Sequence, residues 1–176
     1  TAMHPYNASG WNRSSVYEKM GFGQFLSLKN FHHGEQLRKY VSDQADFEEV
    51  LDVLNQSTDP AFIFNVTMQN HSSYGTPYDN FTPSIEAKFE NTNSTKYLNN
   101  YLSLMKYTDD AVKYLLTELS ASDKKTIVVF FGDHQPNDYV VEPIYEENGL
   151  DINNQTLEEQ QKRQQVPFFI WANYDI

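Results

Sequence analysis

Asp133 and His134 set a carboxylate and an imidazole side by side in the stretch Lys125 to Asn137, KTIVVFFGDHQPN. A hard oxygen donor next to a nitrogen donor suits a divalent ion such as Zn or Mn. The pair also fits a plain strand-to-loop corner with an Asx turn and a surface histidine. A second imidazole, His71, stands in Asn70-His71-Ser72-Ser73 and could donate to a substrate phosphate or a leaving oxygen. The plain alternative is a hydrogen-bonded loop histidine. A third group is Trp11-Asn12-Arg13 with His4 upstream: a guanidinium forks onto phosphate, and an indole makes a wall for a small polyol. Against that, Trp11 could be a core anchor and Arg13 a solvated charge. His32-His33 is a weaker pair, because neighbouring residues on an irregular segment point apart and Glu35 is the one carboxylate at ligand spacing, so that segment reads as a surface loop.

The elements that must position these groups follow from pattern. Ile127 to Phe131 is an unbroken apolar run, predicting a strand buried on both faces, and Gly132 lets the chain turn sharply after it. Ligand sites of open α/β sheets lie at such carboxyl ends. Ala61 to Gln69 predicts a second strand that delivers His71 as the first delivers His134, so the two ends converge if the strands are parallel neighbours. A short helix is expected through Ser15 to Met20, capped by Asn12 or Ser14 and stopped by Gly21. Ser42 and Asp43 open another, with Phe47, Val50, Leu51 and Leu54 on its apolar side and Asp46, Glu48, Glu49 and Asp52 facing solvent. Tyr101 to Leu119 carries the broadest apolar stripe and forms an αβ unit with the strand at Ile127. Gly75 to Asn100 reads as a long polar loop and Asp138 to Asn154 as an acidic one. A polar helix over Thr156 to Gln164 and a strand over Val166 to Ala172 complete the pattern.

Composition narrows the class. The chain has 176 residues, of which 39% are hydrophobic, enough for one core. A net charge of -11 opposes nucleic acid and anionic lipid surfaces, so a phosphate ligand needs local cations or a metal. With no cysteine, disulfides and thiolate sites are excluded, and any metal site is built from His, Asp, Glu or hydroxyl groups. No signal peptide or membrane-length apolar run is present. Sequons at Asn65 and Asn93 are read as coincidence in an Asn-rich chain. Thr1 and Ile176 sit at abrupt ends, which predicts a piece of a larger domain.

Taken in order, His4, Trp11-Asn12-Arg13, Tyr17, Asn70-His71, the Tyr101 to Asp109 helix with its Tyr-Thr-Asp, Phe-Phe-Gly-Asp-His at 130–134 and Val166-Pro167-Phe-Phe-Ile-Trp-Ala-Asn resemble the carboxyl-terminal half of lipoteichoic acid synthase-type phosphoglycerol transferases, which belong with the sulfatases in the alkaline phosphatase superfamily. The resemblance runs over nearly the whole chain. It implies an α/β fold, an alkaline-phosphatase-like central sheet flanked by helices, of which residues 1–176 are an incomplete part of one catalytic domain. Asp133 and His134 match two ligands of a single divalent cation, manganese first, with magnesium or zinc as alternatives. His4, Trp11, Arg13 and His71 match residues that hold a glycerol phosphate head group, with His71 also placed for proton transfer. Tyr6 stands where many members have an Asp, so recognition of that end of the substrate is expected to differ. The family's nucleophilic threonine and its acidic metal ligand precede the position of His4, and neither is identifiable in this chain.

The activity so implied moves glycerol phosphate from a phosphatidylglycerol-like lipid to a cell-wall or teichoic acid acceptor through a phosphothreonine, at the extracytoplasmic face of a bacterial membrane, with attachment through upstream spans. The isolated segment is expected to be inactive or nearly so. Rival readings are a sulfatase or phosphoethanolamine-transferase-like hydrolase of the same superfamily, a non-catalytic module binding teichoic acid, and a plain structural domain.

Overall fold

The computed structural model of the chain describes residues 1–90 and 95–175, in two compact units. The first comprises Thr1–Thr82 and Leu104–Leu116. Its centre is strand β1, Ala2–His4, wholly buried and flanked on both edges by parallel partners, β2 at Phe25–Ser27 and β5 at Phe64–Asn65. Register is Met3 to Leu26 on one side and Met3 to Asn65 on the other. Helix α1, Arg13–Lys19, connects β1 to β2, as a parallel pair requires. Gly21 takes φ +84, the left-handed geometry that ends such a helix cheaply only with glycine.

A hairpin follows, β3 at Gln36–Leu37 against β4 at Tyr40–Val41, and then helix α2, Asp43–Gln56. Ser42 caps α2, its hydroxyl accepting from the Ala45 amide at 3.2 Å. Helix α3, Lys96–Ser120, starts earlier than its stripe predicts and buries Leu98, Leu104, Ala111, Leu115 and Leu119, while Asp109 and Asp110 stay exposed.

The second unit comprises Pro83–Ser103 and Thr117–Ile176. Strand β6, Ile127–Phe131, pairs antiparallel with β7, Phe168–Ala172. Helices α4, Asp138–Glu147, and α5, Leu157–Lys162, lie between them in sequence. Thr156 and Glu159 form a reciprocal capping box at the start of α5.

Five expectations need correction. Strand β6 is not buried on both faces: Ile127, Val129 and Phe131 are each about half exposed, and register places them opposite Ala172, Ile170 and Phe168 on one uncovered side of a two-stranded ladder. Hydrophobic side chains there reflect what a sheet face wants, not what this chain supplies to cover it. The second strand shortens to two residues, with Phe62 72% exposed, and β5 takes β1 as its partner while β6 takes β7, so the expected parallel neighbours belong to two separate ladders. Gly132 has no left-handed φ. An added Cβ would meet Val166 Cβ at 3.4 Å, and its amide still donates to Pro167. Asp138 onward is helix rather than loop, because Val140 and Pro143, three apart, bury one side. Lastly, the acidic side of α2 turns inward at Asp46 and Glu49, both essentially inaccessible. The long polar segment before α3 is followed as far as Glu90; Asn93 and its sequon fall outside the described residues, whereas Asn65 lies half-buried in β5.

Candidate functional site

The last residue of β1 is His4, 1% exposed, and everything in the first cluster is arranged around it. Its Nδ1 lies 2.7 Å from the Val66 carbonyl, an acceptor, so Nδ1 carries the proton. Burial, opposed by that hydrogen bond and helped by the positive charge of Arg13, lowers the His4 pKa to about 4. A neutral imidazole with Nδ1 protonated leaves Nε2 as a lone-pair acceptor, and Nε2 has no partner.

After β1 the chain turns through a 3-10 segment, Gly10–Asn12, in which Trp11 and Asn12 both take left-handed φ, 51° and 55°. Two consecutive left-handed residues cost strain and present the indole outward, 55% exposed. Its ring stands 5.6 Å from His4, Tyr6 and His71, centroid to centroid. The Arg13 guanidinium lies 5.3 Å from the indole centroid and donates to the Tyr17 hydroxyl. Among the described residues no carboxylate pairs with Arg13. His71 is exposed, its Nδ1 3.1 Å from the Ser72 carbonyl, with the Tyr40 ring 5.9 Å away. His4, Trp11 and Arg13 therefore meet His71, nearly sixty residues further on, in one aromatic-walled cluster. Trp11 is not a core anchor, and Arg13 is neither solvated alone nor ion-paired.

An inner polar network supports the turn that carries His71. Thr108 donates to Asp43 Oδ2 at 2.5 Å, the Asp43 amide donates to Gln69 Oε1 at 3.0 Å, and the Asn70 side chain donates to Thr108 at 2.7 Å. Burial pushes the Asp43 carboxyl up to about 6, against the bonds from Thr108 and Thr67, and pushes Asp46 well above the carboxylate range. Both Asp46 oxygens and the Asn65 Oδ1 are buried without a hydrogen-bond partner. Periodicity alone could not find these acids, since their partners come from β5 and α3.

At the other strand end, Asp133 and His134 are 73% and 75% exposed. The Asp133 carboxylate accepts the amide of the next residue, His134, at 2.9 Å, one residue short of the Asx turn expected for a plain corner. Yet His134 Nδ1 faces the Gln135 carbonyl at 2.8 Å, so in the neutral ring Nε2 is the lone-pair nitrogen, and it stands 3.6 Å from Asp133 Oδ2. Two donors so spaced fit one divalent ion as a pair of its ligands. The remaining ligands would have to come from other residues.

His33 proves better furnished than its neighbours in sequence suggested. The His33 ring reaches Glu48 at 3.3 Å and Asp52 at 3.0 Å from α2, and Glu49 accepts the His32 and His33 amides. His33, Glu35 and Glu48 could together offer ligand atoms to an ion, but each ring nitrogen of His33 already has a carboxylate. The carboxylates hold its pKa above the ordinary value, chiefly Asp52.

Residues 1–176 match the family described as Sulfatase. The chain belongs to the sulfatase family. This sulfatase-family chain is 29% identical over 178 residues to a Rhizobium meliloti protein named for cyclic beta-1,2-glucan modification, covering 98% of the chain and 27% of that relative. It superposes on the Streptococcus pyogenes phosphoglycerol transferase GacH in complex with sn-glycerol-1-phosphate with TM-score 0.71 and 27% identity, spanning 98% of this chain and 42% of that one. The lipoteichoic acid synthase LtaP from Listeria monocytogenes gives TM-score 0.71 at 23% identity, with 96% and 42% covered. A Vibrio parahaemolyticus protein in the alkaline phosphatase superfamily gives 0.62 at 21%, with 97% and 37% covered. The fold is thus alkaline-phosphatase-like, and the sulfatase-family chain spans under half the length of these structures.

Proposed function

We propose that this chain is the head-group-binding and partial metal-binding part of a phosphoglycerol transferase catalytic domain. The observation that carries the reading is the pairing, in one cluster, of an unpartnered neutral acceptor with an unpaired cation: His4 Nε2 and the Arg13 guanidinium, with Trp11 between them. A glycerol hydroxyl donates to the first, the phosphate oxygens take the second, and the indole packs on the carbon chain. The complex of the 27% identical transferase with sn-glycerol-1-phosphate supports the ligand class.

In the transfer, a threonine outside this chain forms a bond to phosphorus as the bond to the diacylglycerol oxygen breaks, and that oxygen leaves with a proton. An acceptor hydroxyl then takes the glycerol phosphate from the phosphothreonine. Arg13 offsets charge on the phosphoryl oxygens, and His71, through the ring nitrogen not bonded to Ser72, passes the proton. Asp133 and His134 would hold one divalent cation, manganese first, an ion that supplies Lewis-acid charge in phosphoryl transfer. The exposed side of β6 and β7 and the limited coverage of the related structures support placing residues 1–176 within a larger domain. No helix of the described residues is long and apolar enough to cross a membrane, so an extracytoplasmic, membrane-attached location rests on the likeness to the lipoteichoic acid synthases.

The test is a titration of the full-length gene product with sn-glycerol 1-phosphate, inorganic phosphate and phosphoethanolamine, alongside a fluorescent phosphatidylglycerol assay with Mn²⁺. Preferred binding of glycerol phosphate with diacylglycerol release is the expected result. Preference for phosphoethanolamine would move the enzyme to another branch of the superfamily, and binding without release would leave a non-catalytic module.

A further inference from the structure

A buried cation lies behind His71, and the sequence does not mark it. Arg38 is 4% exposed and occupies the two-residue turn of the β3–β4 hairpin with a left-handed φ of 58°. Turns of this kind favour Gly, Asn or Asp, so a long charged side chain there bears backbone strain and a desolvated charge together. One set of contacts offsets both. The guanidinium donates from Nη1 to the Ser73 carbonyl at 2.7 Å and from Nη2 to the Gln69 and His71 carbonyls at 2.7 and 2.8 Å. Three alternate carbonyls of one turn thus converge on one planar fork, with His71 at their centre. Among the described residues no carboxylate pairs with Arg38, and the Tyr74 ring, 5.6 Å away, closes the remaining side.

The hairpin is braced in turn. Asn80 donates to the Gln36 and Arg38 carbonyls, both at 3.0 Å, and Tyr40 sets its ring against His71 with its hydroxyl 3.5 Å from Nδ1. On its far side the turn is tied by Asn70 to Thr108 and by the Tyr74 hydroxyl to the Asn70 carbonyl at 2.6 Å. The backbone of His71 is held at both ends, its amide donating to the Met68 carbonyl at 3.0 Å within the turn and its carbonyl accepting from Arg38. We infer that Arg38 is a positioning residue: its guanidinium, by gathering the carbonyls of Gln69, His71 and Ser73, fixes the height and direction of the His71 imidazole beside Trp11. This rests on the head-group reading for its functional consequence, though the clamp can be tested without it. A lysine keeps the charge but has no planar fork to serve three carbonyls at once, so the two cations are not equivalent here.

The experiment compares the full-length protein with Arg38→Lys and Arg38→Met by amide hydrogen exchange and by affinity for sn-glycerol 1-phosphate. In Arg38→Met, exchange across 69–75 should rise by about tenfold or more while α2 and α3 stay within about twofold, and affinity should fall about tenfold. Arg38→Lys should fall between, about threefold weaker in binding. If Arg38→Met does not fold, shown by exchange throughout α3, the Lys variant decides alone. Unchanged exchange across 69–75, or raised exchange with wild-type affinity, overturns the inference. Should the wild-type protein itself bind no glycerol phosphate, the head-group reading fails, and the exchange arm still judges the clamp.

Discussion

The two strand ends that carry the candidate chemistry are built to different degrees. Around His4 the first unit supplies a finished shell: a carbonyl that sets the tautomer, an indole and two phenol rings, an arginine with no competing acid, and a turn held from inside. At Asp133 and His134 the contacts among the described residues are to adjacent backbone and to each other, and both side chains are left about three-quarters exposed. The lesson is a division of labour. Under the proposed function, the cluster for the head group is prefabricated by local elements, whereas the corner proposed for a metal offers two exposed side chains.

The largest expected effect falls on the unfinished side. Asp133→Ala with His134→Ala should lower diacylglycerol release by the full-length protein about 10³-fold or more while glycerol phosphate affinity moves less than about threefold. An equal loss of both would erase the distinction drawn here. Next comes Arg13→Ala, which removes charge-assisted bonds and should weaken glycerol phosphate binding about 10- to 100-fold by calorimetry, with Mn²⁺ affinity unaltered.

Stability against pH separates the units further, because the strongly shifted groups sit in the first. His4 has a folded pKa near 4, below its ordinary 6.5, so the unfolded chain takes up its proton first and stability is lost as pH falls from about 6.5 to 4. Asp43 and Asp46 are shifted upward, so their effect has the opposite sign: stability is present below about 4 and is lost as pH rises, through about 6 for Asp43. Asp46→Asn, neutral at every pH, should therefore raise the unfolding free energy at pH 8 by about 1 kcal/mol or more in a denaturant titration, with the gain vanishing near pH 4. The smallest effect is expected at Gly132→Ala, where no left-handed φ is needed and the new methyl only touches Val166. A change within about 1 kcal/mol in thermal unfolding is expected.

Much of this was legible in the residues themselves. Helices α2 and α3 show in their spacing of Phe47, Leu51, Leu104, Ala111 and Leu115, and the cap at Ser42 shows in its residue type. The order His4, Trp11, Arg13, His71, Asp133, His134 carried the family. What pattern could not reach was the meaning of polar groups whose partners are remote. Asp46 and Glu49 look solvated until β5 and the His32–His33 loop are seen against them. Arg38 looks like one more surface charge until the His71 turn is seen around it. The apolar run of β6 misled in the other direction, since an unbroken hydrophobic pattern does not tell a covered sheet face from the half-exposed one that Ile127, Val129 and Phe131 present.

The bond from Thr108 to Asp43 joins residues 65 positions apart. On a ribosome adding about 5–20 residues per second, the amino-terminal strands emerge several seconds before the hydroxyl that completes their acidic interior. Until then the nascent segment carries Asp43 without its shortest bond, so docking of α3 is the step expected to lock the first unit. A stall placed between codons 82 and 108 should therefore yield a protease-sensitive nascent chain, and one placed far enough past 116 to free that helix from the exit tunnel a resistant core.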